Sequence, residues 1–243
     1  MSNVPIALVT GANAGLGRAI AEILATQHSY HVIIGSRDIQ KGQETETSLR
    51  AKGLSVSTVQ LDLISDDSIH AAVSEITKQN GRLDVLVNNA AVHLEIGPSD
   101  LSLRDRFRST FETNVFGTAV LTEACVPLLR QAESPRVVFV GSASGSMTRS
   151  LDKEFSFYGA EFAAYKASKA AMNNLSMRYV VKLEDVGGMV NVVCPGLVKT
   201  KMVNFTSSGV EPEVAALKVV EMATLEKGGP TGTFVDANGE VPW

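Results

Sequence analysis

The chain has 243 residues, of which 44% are hydrophobic, and a formal net charge of −4 at pH 7. This length and apolar fraction suffice for a packed core and exclude a disordered composition. We expect no nucleic-acid partner, because such proteins usually carry a basic excess. The apolar runs are strand-sized, so we expect no membrane span, no signal peptide and a cytoplasmic location. Cys125 and Cys194 lack metal-ligand spacing, so buried free thiols and no metal site are predicted.

Strand-like and helix-like segments alternate along the whole chain. In chain order they are a strand at Ile6–Thr10, a helix over Leu16–Thr26, a strand at His31–Ile34, a helix from Asp38 to about Lys52, a strand at Val56–Leu61, a helix over Asp66–Gln79, a strand at Leu83–Val87, a long helix over about Leu101–Arg130, a strand at Val137–Val140, a helix over about Glu161–Leu183, a strand at Val190–Cys194, a helix opened by Glu211-Pro212 and a strand at Gly232–Val235.

This alternation predicts the fold class. Strands that alternate with helices are joined as parallel neighbours by right-handed crossovers. The strands are continuous apolar runs, which is typical of a sheet covered on both faces. We therefore expect an α/β fold, with a single doubly wound (Rossmann-type) domain over residues 1–243, a parallel sheet of about seven strands and helices on both faces. Ligands of such sheets bind beyond the carboxyl ends of the strands.

A glycine-rich turn follows the first strand. Gly11, Gly15 and Gly17 are spaced Gly-x-x-x-Gly-x-Gly at the start of the first helix. Gly11 permits a tight turn, Gly15 lets backbone amides approach a pyrophosphate, and Gly17 lets the helix pack against the strand. The positive end of the helix dipole adds attraction for phosphate. The turn, which also includes Asn13, Ala14 and Leu16, is therefore predicted to bind a dinucleotide.

The residues after the second strand bear on which nucleotide binds. An acidic residue there accepts from a ribose 2′-hydroxyl, whereas an arginine pairs with a 2′-phosphate. Arg37 favours NADP(H), and Asp38 is placed to cap the next helix; the alternative is that Arg37 is a solvated surface charge. At the end of the third strand, Asp62 and Leu63 are candidates for the adenine site, although an aspartate in a turn is also ordinary.

Tyr165 is the candidate for acid–base chemistry. Among the four tyrosines, only Tyr165 has a lysine four residues later, Lys169, and that spacing places both side chains on one helical face. A phenol of ordinary pKa, about 10, is a poor catalyst at neutral pH, and a neighbouring ammonium lowers that pKa. Tyrosine and lysine also share helical faces without function, so the pairing alone decides nothing.

Several motifs together resemble the short-chain dehydrogenase/reductase family over essentially the whole chain. They are Thr10-Gly11…Gly15…Gly17, Asn88-Asn89-Ala90, Asn114, Ser142, Tyr165-x-x-x-Lys169 and Pro195-Gly196. The run Ser36-Arg37-Asp38 and the C-terminal tail look most similar to the family's NADPH-dependent carbonyl reductases.

The resemblance implies roles for individual residues. Tyr165 would give a proton to a carbonyl oxygen, and Ser142 would hydrogen-bond the same oxygen. Lys169 would hold the nicotinamide ribose and tune Tyr165, so both would also contact the NADP(H) cofactor. Asn114 would help hold a water that relays protons to Lys169. The remaining implied cofactor contacts are Asn89, Ala90, Pro195, Gly196, Val198 and Thr200.

The sequence departs from the family pattern at three places. Ala91 replaces the usual glycine after Asn-Asn-Ala, which adds a methyl group and restricts φ. Ser142 and Tyr165 are 23 positions apart, a longer spacing than is common, and the added aromatic residues form either a lid over an apolar substrate or simple packing. His93 either faces the pocket or lies on the surface, and a surface position is expected. The added segment, here called the insertion, lies around residues 151–162, and it leaves open whether the protein is a monomer or a homo-oligomer.

These residues predict an NADPH-dependent oxidoreductase of carbonyl reductase type that acts on a small, apolar carbonyl or alcohol substrate. Two alternatives stay open. One is an NAD-dependent alcohol dehydrogenase working oxidatively. The other is a non-catalytic NADP-sensing regulator, which would be expected to lack one of Asn114, Ser142, Tyr165 and Lys169, yet all four are present.

Overall fold

The computed structural model describes residues 4–97 and 100–243. Its eight-stranded sheet has the order β3-β2-β1-β4-β5-β6-β7-β8, and only β7 and β8 pair in antiparallel fashion. This order reverses direction between β1 and β4, as in dinucleotide-binding folds. The strands are β1 (Ile6–Thr10), β2 (His31–Ser36), β3 (Val56–Gln60), β4 (Val85–Asn88), β5 (Arg136–Val140), β6 (Met189–Val193), β7 (Phe234–Asp236) and β8 (Gly239–Glu240).

Helices connect the parallel strands and cover both faces of the sheet. They are α1 (Gly15–Gln27), α2 (Ile39–Arg50), α3 (Asp66–Asn80), α4 (Leu103–Phe111), α5 (Thr118–Leu129), α6 (Met147–Ser150), α7 (Ala163–Lys182) and α8 (Pro212–Ala223). Asp38 caps α2 as predicted, since its carboxylate accepts from the backbone N–H groups of Gln40 and Lys41. The predicted fold class is confirmed.

Alternate strand residues build two separate core layers. Because neighbouring side chains on a strand point to opposite faces, each strand contributes to both layers. Leu8 and Phe139 pack in the layer that holds α3, α5 and α7. Val9 and Val138 pack in the layer with α1, α2 and α8. This double burial explains why the strands are apolar at nearly every position.

Two elements differ from expectation. The C-terminal strand β8 is a two-residue antiparallel addition, so the sheet has eight strands instead of about seven. The long helix expected over Leu101–Arg130 is divided by a π-helical segment, Glu112–Gly117, between α4 and α5. A π turn carries one extra residue and so rotates the part of the helix after it relative to the part before it. The apolar residues spaced every four positions from Leu103 therefore do not form one buried stripe. Leu103 itself is 62% exposed.

The carboxyl ends of β1, β2, β4, β5 and β6 meet at one edge of the sheet, because these strands are parallel neighbours. The segments that follow them carry the candidate site residues. Of the helices in the described ranges, none has the length and apolar character required to cross a bilayer.

Candidate active site

The glycine turn adopts a backbone geometry that favours glycine at two positions. Gly11 and Gly15 have φ values of +64° and +52°, in the left-handed region that disfavours side chains. A Cβ atom on Gly17 would lie 2.5 Å from the Gly11 carbonyl oxygen. No side chain caps the start of α1, so its first N–H groups face the turn ready for an anion.

Asn89 ties the end of β4 to the glycine turn. Its side-chain amide donates to the backbone oxygen of Thr10 over 2.8 Å. In return, the backbone N–H groups of Asn89 and Ala90 donate to the Thr10 hydroxyl over 2.9 and 2.8 Å. The Asn89 amide therefore holds the chain after β4 against the glycine turn, and Ala90 lies against Gly11. Ala91 is not among the positive-φ residues, so its methyl group costs no backbone strain.

Basic side chains gather at the end of β2. Arg37 is exposed there, and Asp38 is engaged as a helix cap. Lys41, one turn into α2, pairs with Asp38 over 3.3 Å. A shallow cleft of about 290 Å³ lies beside the glycine turn, lined by Asn13, Ala14, Arg18, Lys41, Glu44 and Thr45. The sequence analysis did not select Arg18 or Lys41. Lys41 could have been found there as a second cation close to Arg37, on the helix that Asp38 caps.

The adenine-side and nicotinamide-side candidates lie at other points of the same edge. Asp62 forms a turn in which its carboxylate accepts from the N–H of Ile64 over 3.2 Å, and the neighbouring Leu63 is buried. After β6, Gly196 has φ +76°, and Val198 is buried in the loop that follows Pro195. The methyl group of Thr200 lies close enough to the glycine turn to meet a Cβ atom on Gly15 at 3.1 Å. The loop after β6 therefore closes over the turn.

Ser142, Tyr165 and Lys169 meet where β5 and α7 converge. Burial and, to a lesser extent, Cys194 hold the pKa of Tyr165 above its ordinary value, whereas the Ser142 side chain acts in the opposite direction and lowers it. The Lys169 ammonium lies 5.6 Å from the centre of the Tyr165 ring and donates to the Val140 oxygen over 2.8 Å. Burial lowers the pKa of Lys169 to about 8.

Asn114 lies in the π segment and is buried. Its amide donates to the Val92 oxygen over 3.0 Å and to the Ser168 hydroxyl over 3.1 Å, and its oxygen accepts from the Val92 N–H over 2.8 Å. The side chain thus reaches the residue next to Lys169 and links the chain after β4 to α7.

A family model described as short chain dehydrogenase matches residues 5–211. The chain belongs to the short-chain dehydrogenase family. It is therefore an oxidoreductase. A short-chain dehydrogenase/reductase of Aspergillus fumigatus is 36% identical over 241 residues, covering 93% of this chain and 91% of that protein. Carbonyl reductase (NADPH) 1 of Sus scrofa is 31% identical, covering 100% and 95%. The structure of salutaridine reductase from Papaver somniferum superposes with a TM-score of 0.80 at 27% identity, covering 95% and 99%.

Two further residues of this dehydrogenase reach Tyr165. The His93 ring stacks on the Tyr165 ring with centroids 4.1 Å apart, so the expected surface position for His93 is wrong. The Glu95 carboxylate accepts from the backbone N–H groups of Ala164 and Tyr165. Sequence reasoning did not consider Glu95, because no local pattern marks an acidic residue that caps a helix about 70 residues away.

The insertion of this dehydrogenase before Tyr165 is partly packed and partly exposed. Phe155 and Phe157 pack edge to face with centroids 5.7 Å apart, and Phe162 packs in the same manner on His93. Tyr158 and Leu151 are 45% and 83% exposed. Packing thus accounts for three of the rings, and Tyr158 and Leu151 remain exposed.

Proposed function

We propose that this chain is an NADPH-dependent reductase that converts a ketone or aldehyde to an alcohol, with one domain binding the cofactor and performing the reaction. The observation that carries the proposal is the grouping of Ser142, the Tyr165 phenol and the Lys169 ammonium at the carboxyl edge of the sheet, with the ammonium 5.6 Å from the centre of the Tyr165 ring. This edge also carries the glycine turn, so a bound dinucleotide and the phenol would share one cleft.

The residues present fit a dinucleotide. The turn at Gly11–Gly17 leaves room that Cβ atoms would fill, and the uncapped start of α1 offers N–H groups to a pyrophosphate. Asp62 and Leu63 would lie by the adenine, Asn89 and Ala90 by the ribose, and the loop after β6 by the nicotinamide, through Pro195, Gly196, Val198 and Thr200. When bound, NADPH supplies the hydride that reduces the carbonyl carbon.

The charge at the end of β2 supports NADPH over NADH. Arg37 is exposed there, and Asp38 is engaged as a helix cap and is not free to accept from a ribose hydroxyl. Arg18 and Lys41 line the adjoining cleft together with a single acidic residue, Glu44, so basic side chains predominate there for a 2′-phosphate. A relative that is 31% identical is a carbonyl reductase named for NADPH, which agrees with this assignment.

Tyr165 would donate the proton. Its raised pKa keeps the phenol protonated at neutral pH, which is the state that reduction requires. An alkoxide forming at the carbonyl oxygen is a stronger base than a phenolate, so the transfer is downhill. Ser142 would donate a hydrogen bond to the same oxygen and stabilise its growing charge. The Lys169 ammonium would hold the ribose hydroxyls and stabilise the phenolate left on Tyr165. Asn114 would help hold a proton-relaying water beside Lys169.

The substrate is proposed to be apolar. Two segments that follow β5 and β6 expose large apolar side chains at the edge of the sheet that carries Tyr165. They are Met147, Leu151 and Tyr158 in the insertion, and Met202 and Phe205 in the loop after β6. Exposed apolar groups grouped near a site are typical of ligand-binding surfaces.

The test is NADPH oxidation measured against a panel of ketones, aldehydes and quinones. We expect turnover of apolar carbonyl compounds by the native chain and loss of turnover in Tyr165→Phe. Tyr30→Phe removes a hydroxyl just before β2, at the end of the sheet opposite the site, and serves as the matched control, with native activity expected. Equal turnover by Tyr165→Phe and the native chain would contradict the assignment of the proton donor. Absence of turnover with every carbonyl compound would favour a non-catalytic NADP sensor.

A further inference from the structure

The segment Val92–Glu95, here called the strap, follows the Asn88–Ala91 turn and lies across the start of α7. Three of its residues contact α7 or the side chain of Asn114. None of these contacts involves the reacting hydroxyl of Tyr165. They act on the backbone and the ring of the residue that carries it.

Glu95 caps the helix that presents Tyr165. The first N–H groups of a helix have no partner within the helix. Phe162, at the cap position of α7, provides no side-chain acceptor. Glu95 supplies both oxygens instead, accepting from Ala164 over 3.0 Å and from Tyr165 over 2.9 Å. A carboxylate at a helix N-terminus is also favoured by the helix dipole. The backbone of Tyr165 is therefore fixed by a direct bond.

His93 fixes the ring of Tyr165. The two rings are almost parallel, with 5° between their planes. Phe162 packs edge-on against His93, with its centroid 4.7 Å from that of the His93 ring. The Nδ1 atom of His93 is buried and has no hydrogen-bond partner among the described residues. Burial lowers the pKa of His93 to about 4, because it outweighs the opposing charge of Glu95 and is reinforced by the Lys169 charge, so the imidazole is neutral at physiological pH. His93 therefore contributes to the site by packing its ring against that of Tyr165.

Asn114 anchors the N-terminal end of the strap. Its side chain bonds both the N–H and the oxygen of Val92, and its amide also reaches the Ser168 hydroxyl on α7. The strap is consequently tied to α7 at both ends, through Asn114 at Val92 and directly at Glu95. Between these ties, His93 has little freedom to leave the Tyr165 ring.

We propose that His93 and Glu95 are positioning residues that hold Tyr165 in the orientation for proton transfer, His93 through the ring and Glu95 through the backbone. This inference rests on the proposed function for its effect on turnover, but the contacts themselves do not. Neither residue takes or gives a proton in the reaction. Their removal loosens the phenol without altering the glycine turn.

Kinetics of four variants test the proposal. We expect His93→Ala and Glu95→Ala to lower kcat roughly tenfold, since displacement of a reacting group by about 1 Å costs up to a hundredfold. The KM for NADPH should stay unchanged. His93→Phe keeps an aromatic ring against Tyr165 and should restore most of the activity. Glu95→Gln keeps one oxygen acceptor and should fall between Glu95→Ala and the native chain. A fifth variant, Glu75→Ala at an exposed glutamate of α3, is the control with native kcat.

A spectroscopic measurement separates this proposal from the proposed function. The chain has four tyrosines, so the ring signals of ¹³C-labelled Tyr165 can be assigned by comparison with Tyr165→Phe. We expect His93→Ala to shift these signals, through loss of the stacked ring, and Glu95→Gln to shift the backbone signal of Tyr165. NADPH binding confirms that each variant is folded.

The outcomes are distinct. If the signals shift in a protein that reduces no carbonyl compound, the positioning role of the strap is supported and the proposed function is contradicted. If the signals do not shift, the positioning role of the strap is contradicted at any level of turnover. An equal loss of kcat in His93→Phe and His93→Ala would also overturn it, because the imidazole would then act by more than packing.

Discussion

Replacing Gly17 with alanine should disrupt the cofactor cleft from within. The added Cβ atom would lie 2.5 Å from the Asn89 amide nitrogen and 2.5 Å from the Gly11 oxygen. Neither atom can retreat cheaply. The oxygen belongs to the backbone of the tight turn, and the amide is held to the Thr10 oxygen over 2.8 Å. The change therefore forces α1 away from β1 or breaks that bond.

The cost follows from these contacts. Overpacking a well-filled site costs about 1–3 kcal/mol, and loss of a hydrogen bond adds about 1 kcal/mol. We expect Gly17→Ala to lower the free energy of unfolding by about 2–4 kcal/mol and to weaken NADPH binding. Gly159→Ala is the matched control, since its Cβ atom would meet nothing within 4 Å, and we expect a change below about 0.5 kcal/mol.

Urea unfolding without cofactor measures the stability term, because a bound ligand would add its own linkage energy. Titration of each folded variant with NADPH then measures affinity. Native stability together with native NADPH affinity in Gly17→Ala would refute the reasoning, since the helix would then not be pressed against the turn as described.

Three further predictions concern other parts of the site. Asn114→Ala should lower the free energy of unfolding by about 2–3 kcal/mol in urea titrations, because three hydrogen bonds are lost. Arg37→Ala and Lys41→Ala should each raise the Kd for NADPH about tenfold and leave that for NADH unchanged, the scale of a charge-assisted hydrogen bond; Lys78→Ala on α3 is the control. Stability should fall as pH falls from 6.5 towards 4, because the pKa of His93 is about 4 when folded and 6.5 otherwise, so the unfolded chain binds the proton first. His93→Phe should flatten this dependence in unfolding measured at several pH values.

Local pattern predicted most of the fold. The strands β1 to β7 follow from apolar runs, and the starts of α2 and α8 follow from Asp38 and Pro212. The glycine turn could be predicted because the spacing of its glycines reflects the close approach of two backbone segments. The π segment could not be predicted from the sequence, because whether a helix turn takes up one extra residue depends on what the helix packs against.

The candidate site shows the same division. Tyr165 and Lys169 are one helical turn apart, so their partnership is visible in the sequence. The contacts of Tyr165 with His93 and Glu95 join residues about 70 positions apart, and only the fold brings them together. Similarly, Asn114 meets Val92 because the π segment and the chain after β4 return to the same edge of the sheet.

The central claim is that Tyr165 protonates the substrate, while the glycine turn, Arg37 and Lys169 supply most of the cofactor binding. Its most direct test is a pair of measurements on Tyr165→Phe: the Kd for NADPH and the rate of carbonyl reduction in a single turnover. We predict an unchanged Kd and a rate reduced at least a hundredfold, the usual contribution of a positioned general acid. A native rate, or a rate that falls only as far as NADPH binding weakens, would contradict the account.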